Sequence, residues 1–179
     1  MALRSCRTMV PMSAPPSPTI RPATDDDGAA IARLIAGCFA EYEGCLYLDA
    51  EFPELAHPAS HYAALGGRLW VAEDADGSVV GSFAVFATRD PAIHEIVKVY
   101  LAAPTRGRGT AARMLALALD FGRDAGAAAI RLWTDTRFTD AHRFYERHGF
   151  ERLPGTRFIG DASSSWEFSY RKRLDGADR

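Results

Sequence analysis

Apolar positions recur along this chain with two periods, and the change from one to the other marks its elements. Ile31, Leu34, Ile35, Cys38, Phe39 and Tyr42 follow at three- and four-residue intervals, the spacing of one buried helix face. Thr24 and the acids Asp25, Asp26 and Asp27 stand just before it. They predict an N-cap with negative charge at the positive end of the helix dipole. Pro53 to Leu65 predicts a second, shorter helix. The period then shortens to two: Leu69 to Glu73 and Ser78 to Thr88 read as strands joined by the hairpin signal Asp76-Gly77, and Ala92 to Leu101 as the next. A helix from about Gly109 to Gly126, a strand from Ile130 to Thr134, a short helix from about Asp140 to His148 and a strand opening at Phe150 complete the middle of the chain. After Leu153, PGTRFIGDASSS predicts a loop, and Trp166 to Leu174 alternates as a final strand. With Thr19 to Pro22 as a short first strand, the order is β-α-α-β-β-β-α-β-α-β-β. This is an α+β fold: a central mixed, mostly antiparallel sheet flanked by helices. One domain is expected over 19–174, after a proline-rich, disordered extension at 1–18 and before a short tail at 175–179.

One junction between these elements carries chemistry. In IVKVYLAAPTRGRGTA (Ile96 to Ala111) an apolar strand breaks at a proline, passes through a glycine-punctuated loop and enters a helix. Arg106, Gly109 and Ala111 fit the pattern Arg/Gln-x-x-Gly-x-Gly/Ala. Unpaired N–H groups at the helix start, together with the dipole, make an anion site suited to a diphosphate. Glycine keeps side chains out of the way of the phosphate oxygens. A dinucleotide fingerprint is excluded, because no third glycine follows at its offset. A Walker-type loop is excluded too, since Lys98 and Lys172 are the only lysines.

A second segment, AIRLWTDTRFTDAHRFYERHGFERL, places Ala141 and Tyr145 four apart on one helix face, with Gly149 at the C-cap and Phe150 after it. With both segments in order and at this separation, the chain resembles the GNAT superfamily of acetyl-CoA-dependent N-acetyltransferases, strongly over 93–153 and in outline over 19–174. Many members carry Asn three residues before the alanine, where this chain has Phe138. The resemblance implies a single GNAT-like domain and acetyl-CoA as cosubstrate. It implies transfer of an acetyl group to a primary amine of a small molecule or protein, by direct attack in a ternary complex. It also implies a donor site built from Val99, Tyr100, Leu101, Arg106, Gly107, Arg108, Gly109, Thr110, Ala111 and Tyr145. The Tyr145 hydroxyl would protonate the leaving thiolate, and main-chain N–H groups near Tyr100 and Leu101 would polarise the carbonyl. Glu95, eleven residues before Arg106, would be the base by analogy with the histone-acetyltransferase branch; His94 is a rival. Strand alternation puts Glu95, Val97, Val99 and Leu101 on one face and His94, Ile96, Lys98 and Tyr100 on the other. A domain that binds acyl-CoA without turnover, as a sensor or structural partner, is the alternative reading.

Composition narrows the partners. Over 179 residues the net charge is −2, so neither nucleic acid nor an acidic membrane is expected to bind. No apolar run is long enough to span a membrane. Three cysteines (Cys6, Cys38, Cys45) without paired spacing point to a reducing, cytoplasmic compartment and no zinc site. His57 and His61 lack a third ligand, so no metal is expected. Between the first two helices Glu41, Glu43, Asp49, Glu51 and Glu54 form an acidic run with Tyr42 and Tyr47. It reads either as a surface that draws a cationic acceptor or as a solvated charge run. A homodimer is compatible with all of this.

Overall fold

The computed structural model describes residues 16–174; Cys6, the tail at 175–179 and most of the expected N-terminal extension lie outside that range. Seven strands form one sheet in the order β1 (Thr19–Pro22), β2 (Arg68–Glu73), β3 (Val79–Ala87), β4 (Ile93–Leu101), β5 (Ala129–Asp135), β7 (Trp166–Arg173) and β6 (Glu151–Phe158). Each neighbouring pair is antiparallel except β4 with β5. The period-two pattern buries both faces. On one, Ile31 and Ile35 of helix α1 (Gly28–Phe39) and Tyr62 of α2 (Pro58–Ala64) pack on Leu69, Val71 and Ala84. On the other, Met114, Leu115 and Ala118 of α3 (Thr110–Asp124) and Tyr145 of α4 (Thr139–Arg147) pack with Phe83, Ile96, Ile130 and Leu132. Each large apolar side chain buried this way contributes about 1.5–3 kcal/mol. The element order is the one the sequence predicts, and among the described residues no helix is long and apolar enough to cross a membrane.

Three boundaries differ from expectation, each for a local reason. Thr24 precedes a single 3-10 turn, Asp25–Asp27, and α1 starts only at Gly28. There Asp27 folds back to accept the Thr24 N–H at 2.7 Å and both Arg21 Nη groups at 2.8 and 2.9 Å. The helix expected over Pro53 to Leu65 splits into a 3-10 turn, Pro53–Ala56, and α2, whose first residue is Pro58. Proline suits a first helical turn and disfavours helical geometry in the residue before it. Finally, the predicted loop after Leu153 is strand as far as Phe158. Pro154 is accommodated because β6 is the sheet edge, where the pairing register slips between Arg152 and Thr156.

Candidate active site

The site begins with a fault in β4. Ala84 pairs with Val97 but Ser82 pairs with Tyr100, so two steps on β3 face three on β4. The extra residue makes a bulge, with Lys98 at a φ of 54° and its carbonyl accepting the Ser82 hydroxyl at 2.8 Å. The bulge resets the alternation. Val97 and Tyr100 both pack on the α1 side, Ile96 and Val99 on the α3 side. Lys98 also turns to the α1 side, where its Nζ meets Glu54 at 2.6 Å and lies over the Phe52 ring. The expected facing of β4 therefore holds through Val97 and fails beyond it. Parallel pairing with β5 stops at Ile96–Leu132, whereas β5 continues against β7 to Asp135. Past Ile96 the sheet is open between β4 and β5.

Two cavities flank this opening. The first, about 500 Å³, lies on the α3 side and is walled by Val99, Tyr100 and Leu101, by Gly107, Gly109, Thr110 and Ala111, and by α4. Gly107 and Gly109 have φ values of 73° and 78°, and a Cβ on either would meet no heavy atom within 4 Å. The loop needs glycine for its left-handed turns, and the space before α3 is empty. No side chain caps α3, and the Thr110 hydroxyl beside it is buried without a hydrogen-bond partner. These are the properties of an anion cradle. Arg106 is not a free cation in it: its guanidinium clasps Glu41 at 2.6 and 2.7 Å, and its Nε donates to the Leu101 carbonyl at 2.8 Å. Arg108 is exposed and off the cavity wall. Arg143 and Arg147 of α4, which sequence reading passed over, also line this cavity, Arg143 beside Asp140 at 3.4 Å; their signal is a basic pair four apart on a short helix.

The second cavity, about 490 Å³, lies on the α1 side. It is bounded by Phe52, Lys98, Trp133, Asp135, Asp161 and Glu167, among others. Both cavities share Val99, Tyr100, Phe138, Ala141 and Tyr145, so they meet at the opening in the sheet. Tyr145 is held there by the end of its own helix. Gly149, at a φ of 76°, donates its N–H to Glu146, while Phe150 donates to the Tyr145 carbonyl and packs ring to ring with it at 5.7 Å. This is a Schellman motif with its hydrophobic contact. Burial pushes the Tyr145 phenol well above its ordinary pKa, so it stays a proton donor. Phe138, at the position where many family members carry asparagine, packs tilted against Tyr42 at 4.7 Å and Phe39 at 6.1 Å, adding an aromatic wall.

The acetyltransferase (GNAT) family matches residues 30–150. The chain belongs to the GNAT family. The uncharacterised N-acetyltransferase YjgM of Escherichia coli K12 is 33% identical over 147 residues, covering 78% of this chain and 86% of YjgM. The aminoalkylphosphonate N-acetyltransferase of Salmonella typhimurium is 30% identical over 138 residues, covering 74% of this chain and 84% of that enzyme. Among solved structures, a GNAT acetyltransferase from Staphylococcus aureus Mu50 superposes with a TM-score of 0.75 at 18% identity, covering 88% of this chain and 99% of that one. YncA of Salmonella typhimurium, solved with acetyl-CoA, superposes at 0.69 with 19% identity, covering 92% and 98%. This GNAT chain is accordingly an acyltransferase.

Within this GNAT domain the remaining candidates disperse. Glu95 lies outside both cavities, its carboxylate bound to Arg131 Nε at 2.7 Å. His94 is on the opposite face of the sheet from the second cavity, buried edge-on to Phe121, and burial lowers its pKa. The acidic run does not act as one patch. Glu41 is taken by Arg106, Glu54 by Lys98, and Asp49 accepts the Tyr47 hydroxyl; only Glu51 reaches the second cavity. Cys38 lines the first cavity and Cys45 the second, and burial raises both thiol pKa values, which leaves them protonated and poorly nucleophilic. His57 and His61 line neither cavity, and the described residues hold no group of three or more metal-ligating side chains.

Proposed function

We propose that this GNAT enzyme transfers an acetyl group from acetyl-CoA to a primary amine of a small molecule or protein, by direct attack with both substrates bound. The observation that carries this reading is the shared wall: one cavity has an anion cradle, the other is lined by acids and aromatics, and both open onto Tyr145. Acetyl-CoA fits the first cavity, with its diphosphate on the N–H groups around Gly107 to Ala111 and the Thr110 hydroxyl supplying a donor that now lacks a partner. The amine enters from the second. Nitrogen attacks the thioester carbonyl, a C–N bond forms, the nitrogen gives up a proton to a base and the C–S bond breaks. The departing thiolate takes the Tyr145 proton. N–H groups of β4 near Tyr100 and Leu101, freed where β5 diverges, face the developing oxyanion. Two protonated cysteines offer no activated nucleophile for a covalent relay, which favours direct transfer.

Calorimetric titration with acetyl-CoA, followed by thiol-release assays over a panel of amines, tests this function. The panel begins with aminoalkylphosphonates and small zwitterionic amines, because a relative carries that name and this cavity holds both signs of charge. Absence of binding at high micromolar acetyl-CoA would overturn the proposal. Tight binding without transfer to any amine would turn the reading toward an acyl-CoA sensor.

A further inference from the structure

The acceptor cavity is lined by four carboxylates, of Glu51, Asp135, Asp161 and Glu167. Three are committed to holding the structure. Both oxygens of Asp135 are clamped by Arg137 at 2.9 and 2.6 Å, and its Oδ1 also accepts the Arg137 N–H. Glu51 accepts the Ala162 N–H at 2.8 Å and Asp161 the Ser165 N–H at 2.7 Å, which fixes the loop before β7. Glu167 anchors no backbone N–H. Arg157 reaches it with Nε at 2.8 Å and Nη2 at 2.7 Å, and both contacts go to Oε2. Its Oε1 makes no hydrogen bond among the described residues, which is also true of Glu51 Oε2 and Asp161 Oδ2, and the Glu167 side chain is 16% exposed.

Its position suits a proton acceptor. Glu167 pairs in register with Asp135 on β5 and Arg157 on β6, so it faces the α1 side of the sheet with Trp133, on which the Arg157 guanidinium lies at 4.0 Å. The charged and titratable groups around it are Arg157 from β6, Asp135 from β5, and Glu95 and Tyr100 from β4. Among them only Arg157 is positive, and it is half exposed, so solvent screens it; the other cations lining the cavity, Lys98 and Arg137, are paired with Glu54 and Asp135. Burial raises the Glu167 pKa, Arg157 opposes this, and Asp135 and Glu95 reinforce it. A carboxylate moved toward neutrality is a stronger base than one held low by a clamp.

We propose that Glu167, through Oε1, is the general base that takes the proton from the attacking amine. This rests on the acetyl-transfer reading of the site. The amine lone pair forms the C–N bond, the nitrogen's proton passes to Oε1, the C–S electron pair leaves on sulfur, and sulfur is protonated by Tyr145. Arg157 is a positioning residue that holds the carboxylate through the other oxygen. Glu95 lies behind and contributes charge only.

The test uses an amine that the wild-type enzyme acetylates. Glu167→Gln is expected to lower kcat by roughly 10²–10⁴-fold near neutral pH, the range for loss of a general base. The deficit should narrow as pH approaches the pKa of the amine, near ~10, where free amine needs no base. Acetyl-CoA affinity should be unchanged, because Glu167 does not line the donor cavity, and Glu167→Asp should recover part of the rate. Arg157→Gln gives a second readout in a protein whose base is intact. Removing the cation raises the Glu167 pKa, so the acid limb of the kcat/KM profile should move to higher pH. Wild-type kcat at pH 7 in Glu167→Gln, or an unmoved limb in Arg157→Gln, would overturn the assignment while leaving acetyl transfer standing. A wild-type protein that acetylates no amine would remove the reading of the whole site and this base with it.

Discussion

Replacing Gly109 with valine should separate donor binding from folding. Gly109 sits at φ 78° and ψ 0°, and a Cβ there meets no heavy atom within 4 Å. The cost to the fold is therefore backbone strain alone, roughly 1–2 kcal/mol for an L-residue in left-handed geometry. A domain with about 5–15 kcal/mol of stability survives that. Binding should suffer more, since the side chain fills the space in front of the first N–H groups of α3. Losing two charge-assisted hydrogen bonds at roughly 1.5 kcal/mol each lowers affinity about a hundredfold, and a third bond lowers it further. Gly77 supplies the control. It has a φ of 83° in the β2–β3 hairpin, its Cβ would also meet nothing within 4 Å, and it lies off the donor cavity. Gly77→Val should lose similar stability in thermal melts and keep its acetyl-CoA affinity by calorimetry. A folded Gly109→Val protein with near-native affinity would mean that the diphosphate binds elsewhere. Equal loss of affinity in Gly77→Val would mean that strain, not obstruction, weakens binding.

Tyr145→Phe should lower kcat across neutral pH while acetyl-CoA still binds; since burial lifts the phenol pKa, the deficit should persist to at least pH ~10 in a pH–rate profile. Asp27 is held below the ordinary carboxylate range, first by the Arg21 hydrogen bonds, so it contributes stability that is present above its unfolded pKa of about 3.9 and lost as pH falls through the folded value. Asp27→Asn should cost on the order of 2 kcal/mol in neutral urea melts and converge with wild type in strong acid. Gly28→Ala should be more damaging than its chemistry suggests, because the new methyl would lie on the Leu55 carbonyl oxygen. Overpacking of about 1–3 kcal/mol predicts a Tm lower by several degrees in calorimetry.

What the sequence disclosed depended on how local each signal is. The shape of the glycine loop before α3 was legible because its demands fall on single residues: Gly107 and Gly109 adopt conformations that other residues resist, and Gly149 closes α4 in the same way. The facing of β4 was not, because the bulge at Lys98 depends on β3. The Ser82 hydroxyl holds the Lys98 carbonyl, and a lysine at positive φ has no signature in its neighbours. The same distance in sequence hid Glu167 and Asp161, which come to the acceptor cavity from a region read as loop and final strand. β6 was misread beyond Leu153 because Pro154 and Gly155 are turn residues in any interior strand and are tolerated only at an edge. Glu95 was singled out by its offset from Arg106, and offset along a strand says nothing about which arginine of the next strand will hold it.

The opening in the sheet has a consequence for how such an enzyme can diversify. The first cavity draws on the run from Val99 to Met114, on α4, and on Cys38, Tyr42, Ser82 and Phe83. Beyond the shared wall the second cavity draws on Phe39, on β4, on β5 with Arg137, and on two further runs, around Cys45 to Phe52 and from Ile159 to Glu167. These runs are far apart in sequence and lie across the sheet from the glycine loop before α3. Substitutions in them can reshape what enters from the α1 side while the opposite face stays as it is. A single junction can thus be kept constant while its clientele is rewritten at the eight positions of these two runs, other than Glu167, that line the second cavity.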